Sequence, residues 1–428
     1  MHYVIVGNGV AGTRAAMTIR QRHEPQQARI TLISDESPYF FSRTALMYAY
    51  MDQLRRRDLE PYEREVYDRQ QIERIEAQVV DLDAESKKLT LDDGRVITFD
   101  RCLLAVGAGP RMIDFQGLDD VEDGLVHFVS LQDLDTCERL TWSTDHAVVV
   151  GGGLIGVELV ECFRHHGLQV TFLVREPYYW PAAFAEEEGQ MISEHIRSHG
   201  VDLCHETQLA SIETDSRGRV SAVVTEDDEQ IQCQMLGIAI GVVPRVNWLR
   251  DVATPPAIGA GLRVNRAFET SLPGVYGAGD CIEIELDPKK EPLHEPIWYA
   301  ARRHGELAAR SMLDDDISYE PPIFYNSSKF FDIEYTTVGE VQDLPAGTNT
   351  LYRRKPDAAV SQRIVVDGDN CVLGFSMLGS RWDHTVLTRW IKENRSLDFV
   401  RRNLPDAQFD VEFGRVDLDS FNEEMRTL

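Results

Sequence analysis

No Cys-x-x-Cys occurs in the 428 residues, and no two of the seven cysteines (Cys102, Cys137, Cys162, Cys204, Cys233, Cys281 and Cys371) lie within twenty residues of each other. Zinc ribbons and local dithiol redox centres need such spacing; both are excluded, and the odd count fits reduced thiols. Long apolar runs are missing too. No stretch of about 18 uncharged apolar residues exists, which disfavours a membrane-spanning helix. A first strand starting at Tyr3 leaves no room for a signal peptide, so the cytoplasm is the expected compartment. Positive charge is also scarce: 71 acidic residues face 44 basic ones, only seven of them lysine, for a net charge of −27. Nucleic acid and anionic membrane both require a positive face and are disfavoured as partners.

What is present begins with Tyr3-Val-Ile-Val-Gly-Asn-Gly-Val-Ala-Gly12. Three apolar residues run into Gly7-x-Gly9-x-x-Gly12, the pattern of a buried strand, a tight turn and a helix whose N–H groups face a pyrophosphate. Alone, the pattern also fits a merely structural turn. Its context is supportive: an Ala-rich helix over Val10 to Arg22, then a strand Arg29 to Ser34 closed by Asp35-Glu36, where a ribose 2′-OH would find its acceptor. A second such unit starts 144 residues on, at Ala147-Val-Val-Val-Gly-Gly-Gly-Leu-Ile-Gly-Val-Glu158, followed by a helix to about His166 and a strand Gln169 to Val174 ending in Arg175-Glu176. Two complete nucleotide turns are hard to obtain by chance.

The length predicts two or three domains. Between the two units, Gln78 to Phe99, with a turn at Asp92-Asp-Gly94, alternates as small antiparallel strands do. Arg101 to Pro110 and Leu236 to Pro244 each read as a buried strand closing on a Gly- and Pro-containing turn, at crossings between domains. From about Pro321 the pattern changes to short strands (Lys329 to Gly339, Arg363 to Val366, Val372 to Leu378) and a helix near Trp382 to Glu393. His195 and His199 sit four apart on an expected helix, a metal spacing; without a third ligand in view, a solvated helix face is favoured and no metal is expected. The run Arg55-Arg-Arg57 is flanked by acids and reads as an ordinary charged face.

Over its whole length the chain resembles the two-dinucleotide-fold flavoproteins of the pyridine-nucleotide-disulfide oxidoreductase superfamily. The resemblance rests on both Gly turns, on Val79-Val-Asp-Leu-Asp83, on Ala105-Val-Gly-Ala-Gly-Pro110 and above all on Thr270-Ser-Leu-Pro-Gly-Val-Tyr-Gly-Ala-Gly-Asp280. It implies an FAD site at Gly7, Gly9, Ala11 and Gly12, with Asp35 and Glu36 at the adenosine ribose, Val79 at the adenine, Ala105, Val106 and Gly107 at the crossing, and Asp280 on the ribityl hydroxyls. Without the family match, Asp280 would read as a helix N-cap or turn acid. The segment Pro296-Ile-Trp-Tyr-Ala-Ala then reads as a helix starting at a proline, its N-terminus aimed at the flavin, with Trp298 either lining the ring or in the core. For NAD(P)H the resemblance implies Gly151, Gly153, Leu154, Ile155, Gly156, Glu158, Arg175, Glu176 and Gly241.

Disulfide reductases of this family keep a cysteine on the helix after Glu36; here the first cysteine is Cys102, which excludes that chemistry. Glu36-Ser-Pro-Tyr-Phe-Phe-Ser-Arg-Thr-Ala-Leu46 is instead similar to the corresponding stretch of ferredoxin, rubredoxin and monodehydroascorbate reductases and apoptosis-inducing factor. In it Ser42 and Arg43 would reach the FAD pyrophosphate, Arg43 as a bidentate fork; an exposed ion pair is the alternative. The family's usual Ser-Lys is Met47-Tyr48, a departure shared with the flavoprotein part of nitrite reductases. Glu158, implied to lie near flavin N5, must therefore find another partner, Arg43 or a water. A carboxylate at Glu176 favours NADH over NADPH, against the neighbouring Arg175.

The expected fold is α/β, two Rossmann-like nucleotide-binding domains, the NAD domain inserted in the FAD domain, plus an α+β C-terminal part. The boundaries are 1–115 and 246–320 for FAD, 116–245 for NAD(P)H, and 321–428 for an interface or homodimerisation domain. The implied activity passes hydride from NAD(P)H to FAD and electrons on to a ferredoxin- or rubredoxin-type protein, a quinone or a small oxidant. An NADH oxidase reducing dioxygen and a slow-turnover NADH-sensing flavoprotein are the alternatives.

Overall fold

A computed structural model describes residues 1–355, 358–409 and 426–427. The chain packs as two compact units, one comprising Met1–Ile113, Val126–Arg139 and Ile240–Glu320, the other Asp114–Leu125, Leu140–Ala239 and Pro321–Leu428.

In the first unit the strand His2–Val6 is buried on both faces from Tyr3 onward, as continuous apolar runs are in parallel sheets. It pairs in parallel with Arg29–Ser34 on one side and Arg101–Leu104 on the other. Val275–Gly277 and Ile72–Glu76 complete a five-stranded parallel sheet. Helix Val10–Arg22 crosses over this sheet and packs on helix Trp298–Met312, and at the crossing Gly305 lies so close to Ala11 that a Cβ would come within 2.1 Å of its carbonyl oxygen. Arg14 and Glu306 pair across the same two helices at 2.5 Å. The alternating segment forms three antiparallel strands, Val79–Asp83, Lys88–Leu91 and Val96–Thr98. The two expected crossings pair with each other: Ala108–Pro110 lies antiparallel to Val242–Pro244.

The second unit repeats the pattern with parallel strands in the order Asp202–Cys204, Gln169–Leu173, His146–Val150 and Met235–Ile238. Helix Leu154–His165 follows its Gly turn. The same unit contains an antiparallel sheet of Tyr325–Phe330, Ile333–Gly339, Val372–Leu378, Ser361–Val366 and Asn349–Arg354, with Arg426–Thr427 at its edge. Helices His384–Lys392 and Leu397–Asn403 cover one face, burying Leu387, Trp390 and Val400 against Val338, Ile364 and Phe375. Aromatic edges join this sheet to the nucleotide part of the unit: Phe330 contacts Tyr179 (5.4 Å between centroids) and Phe184 (5.7 Å), and stacks on Tyr335.

Three sequence expectations need correction. Lys329 to Gly339 is not one strand but parts of a hairpin, turning at Phe331-Asp332 with Phe331 at φ +52°. The helix read from Pro296 starts at Trp298, because Ile297 is extended (φ −129°, ψ 136°) and acts as its N-cap. The helix read from Trp382 starts at His384, where the Asp383 carboxylate accepts the Thr385 N–H and fixes the end.

Candidate cofactor-binding sites

The first Gly turn is shaped by backbone contacts that tolerate no side chain at two positions. Gly7, at φ +99°, donates its N–H to the Ile33 carbonyl at 2.7 Å, and a Cβ on it would sit 2.1 Å from the Ala105 oxygen. A Cβ on Gly12 would sit 1.9 Å from the Gly7 oxygen, whereas one on Gly9 would meet nothing within 4 Å. The turn is thus closed toward the sheet and open at Gly9. The helix ladder begins with the Thr13 N–H bonded to the Gly9 carbonyl, so the N–H groups of Val10, Ala11 and Gly12 have no intrahelical acceptor. This is the geometry a pyrophosphate needs.

Asp280 reaches the same neighbourhood from the strand Val275–Gly277. Ala278 continues the sheet, its N–H bonded to the Leu104 carbonyl, and Gly279 (φ +83°) brings the chain against Ala11. The Asp280 Oδ1 is buried without a hydrogen-bond partner among the described residues, and burial pushes its carboxyl up against the pull of His294, His304 and Arg43. A buried carboxylate oxygen lacking a donor fits a polyhydroxyl chain that supplies one. The Trp298 indole N–H is orphaned in the same way at the start of its helix.

Glu36 and Arg43 meet each other. The Arg43 fork binds Glu36 at 2.7 and 3.0 Å and also donates to the Val129 carbonyl, while the Leu131 N–H adds a 3.0 Å bond to Glu36. Asp35 pairs with Arg245 at 2.7 Å. Ser42 is held through its N–H to the Leu59 carbonyl. Val79 is buried and paired with Leu91, and the Ala105 N–H bonds to Val6. Val106 is half-buried, and the Gly107 carbonyl accepts from Arg245 N–H. Gly241, at φ +107°, lies in this first unit, its carbonyl accepting from Arg111 N–H.

In the second unit Gly151 stands at φ +117°, a Cβ on Gly156 would come within 2.0 Å of its carbonyl, and a Cβ on Gly153 would meet nothing. The fully buried Tyr179 donates its hydroxyl to the Gly153 carbonyl at 3.1 Å and steadies the turn. Leu154 and Ile155 are half-buried at the helix start. Beyond the second strand Arg175 bonds Glu176 at 2.7 Å, with the arginine largely exposed.

Glu158 lies on the first turns of that helix. Burial pushes its carboxyl up to about 7, the neighbouring Glu161 adds to the rise, and Lys329 opposes it. Lys329 bonds Glu161 and the Phe331 carbonyl, and Glu161 also accepts the Phe331 N–H at 3.1 Å. Of the expected partners, Arg43 or a water, Arg43 is engaged with Glu36; the cation acting on Glu158 is Lys329, which the sequence did not point to. The only hint was scarcity, since it is one of seven lysines.

Residues 1–305 match the model of the pyridine nucleotide-disulphide oxidoreductase family. The chain belongs to that family. It is an oxidoreductase dependent on FAD and NAD(P)H, and it lacks the cysteine pair after which the family is named. Cys102, the first in the chain, is buried in a sheet strand, where burial pushes its thiol far up. Among its relatives, the chain is 26% identical over 402 residues to the ferredoxin–NAD(+) reductase component of the p-cumate 2,3-dioxygenase system of Pseudomonas putida, covering 92% of this chain and 94% of that protein. It is 25% identical over 358 residues to an NADH oxidase of Methanocaldococcus jannaschii, covering 79% and 76%. The fold is shared with a ferredoxin reductase of Rhodopseudomonas palustris at a TM-score of 0.79, with 24% identity and 99% of each chain covered. No helix among the described residues is long and apolar enough to cross a membrane.

Proposed function

We propose that this oxidoreductase takes hydride from NADH and delivers electrons to a small iron–sulfur carrier protein. The observation that carries this reading is the match along nearly the whole chain to a ferredoxin–NAD(+) reductase component, in a chain with no cysteine between Glu36 and Cys102. FAD, when bound, would supply the hydride and electron chemistry, and the chain would supply position and electrostatics. In this reading the Gly7–Gly12 turn holds the FAD pyrophosphate, Asp280 accepts hydrogen bonds from the ribityl chain, and the Arg43–Glu36 pair closes the adenosine side. The Gly151–Gly156 turn holds the NADH pyrophosphate, and Glu176 takes the ribose diol. Glu158, its carboxyl raised by burial to about 7, orients the nicotinamide end.

The net charge of −27 repels carriers with acidic contact faces, so the carrier presents a neutral or basic face. Dioxygen is the second reading, supported by the likeness to an NADH oxidase. Anaerobically reduced protein mixed in turn with ferredoxin, rubredoxin, a quinone and oxygenated buffer decides between them. Fastest reoxidation by an iron–sulfur or rubredoxin-type carrier is expected. Fastest reoxidation by dioxygen supports the oxidase, and slow reoxidation by all four overturns the proposal in favour of NADH sensing.

A further inference from the structure

His195 lies in the last turn of the helix Glu186–Ser198 and His199 is its C-cap, four residues on and on the same face, with ring centroids 4.5 Å apart. The third group that the sequence did not offer comes from the hairpin turn between Tyr325–Phe330 and Ile333–Gly339. There Asp332 Oδ1 lies 2.5 Å from His195 Nε2 and 3.6 Å from His199 Nε2. One ligand atom from each of the three residues lies within 4.8 Å of the others, the one such group of His, Cys, Asp or Glu found among the described residues.

The setting is built rather than incidental. His199 Nδ1 donates to the His195 carbonyl at 2.9 Å, and the ring stacks on Phe331 at 4.3 Å and 21°. Phe331 in turn is fixed by its N–H to Glu161. With Nδ1 engaged by the His195 carbonyl, His199 directs its Nε2 at the Asp332 oxygen that already bonds His195, so the two Nε2 atoms and the carboxylate oxygen converge on one point. A backbone carbonyl orienting one ring nitrogen while the other faces a shared point is also how metal-ligating histidines are held.

We propose that His195, His199 and Asp332 form a site for a divalent transition-metal ion of the zinc class, with a fourth position left to water. Two imidazole nitrogens and one carboxylate suit zinc, cobalt or nickel and not magnesium or calcium, which prefer all-oxygen shells. Tetrahedral zinc would set ligand atoms roughly 3.3 Å apart given bonds of about 2.0–2.2 Å, and the present separations of 2.5 and 3.6 Å bracket that value. The ion would pin the hairpin turn to the helix end within the second unit, three residues from Lys329.

The test is calorimetric titration of zinc chloride into full-length, flavin-loaded protein stripped with a chelator, beside His199→Ala and Asp332→Asn variants, with a cobalt spectrum of the wild type. The proposal expects one equivalent bound, at least a tenfold weaker affinity in each variant, and a cobalt spectrum without thiolate charge-transfer intensity. Circular dichroism of the metal-free variants confirms that they fold. Absence of saturable uptake, equal affinity in folded variants, or a thiolate signature would each overturn it.

Discussion

Asp280 and Glu158 are two carboxyls raised by burial for different ends. Asp280 has an orphaned oxygen that a bound hydroxyl can satisfy. Asp280→Ala is expected to cost about 1.5–3 kcal/mol of FAD binding, roughly a 10- to 150-fold weaker Kd, since a hydrogen bond to a charged group is lost. Flavin retention during dialysis reads this directly, and unchanged retention would remove Asp280 from the site. Glu158 makes a pH prediction. Its folded-state value of about 7 lies above the ordinary carboxyl value, so between the two the folded protein keeps a proton that the unfolded chain has lost. Stability conferred by the protonated form is therefore present at low pH and lost as pH rises through 7. Glu158→Gln cannot ionise and escapes that loss: its Tm relative to the wild type should rise from about pH 5 to about pH 8. Parallel Tm curves would contradict this. At this scale the sequence displayed the Gly turns and Asp280, because each depends on a local run of residues. It did not display Lys329, which reaches the Glu158 helix from 171 positions away through a chain fold that no local window contains.

Elements defined by local chemistry were legible for the same reason. The helix Val10–Arg22 and the strand Arg29–Ser34 stand where the apolar pattern put them. The hairpin was not legible, because Phe331-Asp332 carries no Gly or Asn to mark a turn and Phe331 accepts a left-handed conformation held by Glu161. Two predictions belong here. Gly156→Ala would force a Cβ into the Gly151 carbonyl, so the KM for NADH should rise on the order of tenfold or more while flavin content stays intact. Loss of flavin instead would show that the two turns are not independent. Arg363, on the strand Ser361–Val366, binds Glu188 at 2.6 and 2.7 Å and Glu187 at 2.8 Å, with both Arg363 and Glu188 buried. Arg363→Met leaves a buried carboxylate unpaired and should cost about 3–5 kcal/mol in denaturant unfolding. A cost below about 1 kcal/mol would mean that the pair adds little to this sheet's attachment.

For the whole molecule, two units each carry one Gly cradle, and the proposed hydride transfer requires both to be filled. Fold class and cofactors could be read from sequence because the family's turns repeat along the chain; the acceptor could not, because its recognition lies in surface charge and shape rather than in a motif. An anaerobic titration of the purified flavoprotein with NADH and, separately, NADPH tests cofactor and hydride donor together. One equivalent of NADH should bleach the flavin's visible absorbance within the mixing time, with NADPH markedly slower. A protein without flavin absorbance, or a flavin that neither nucleotide bleaches, would contradict this.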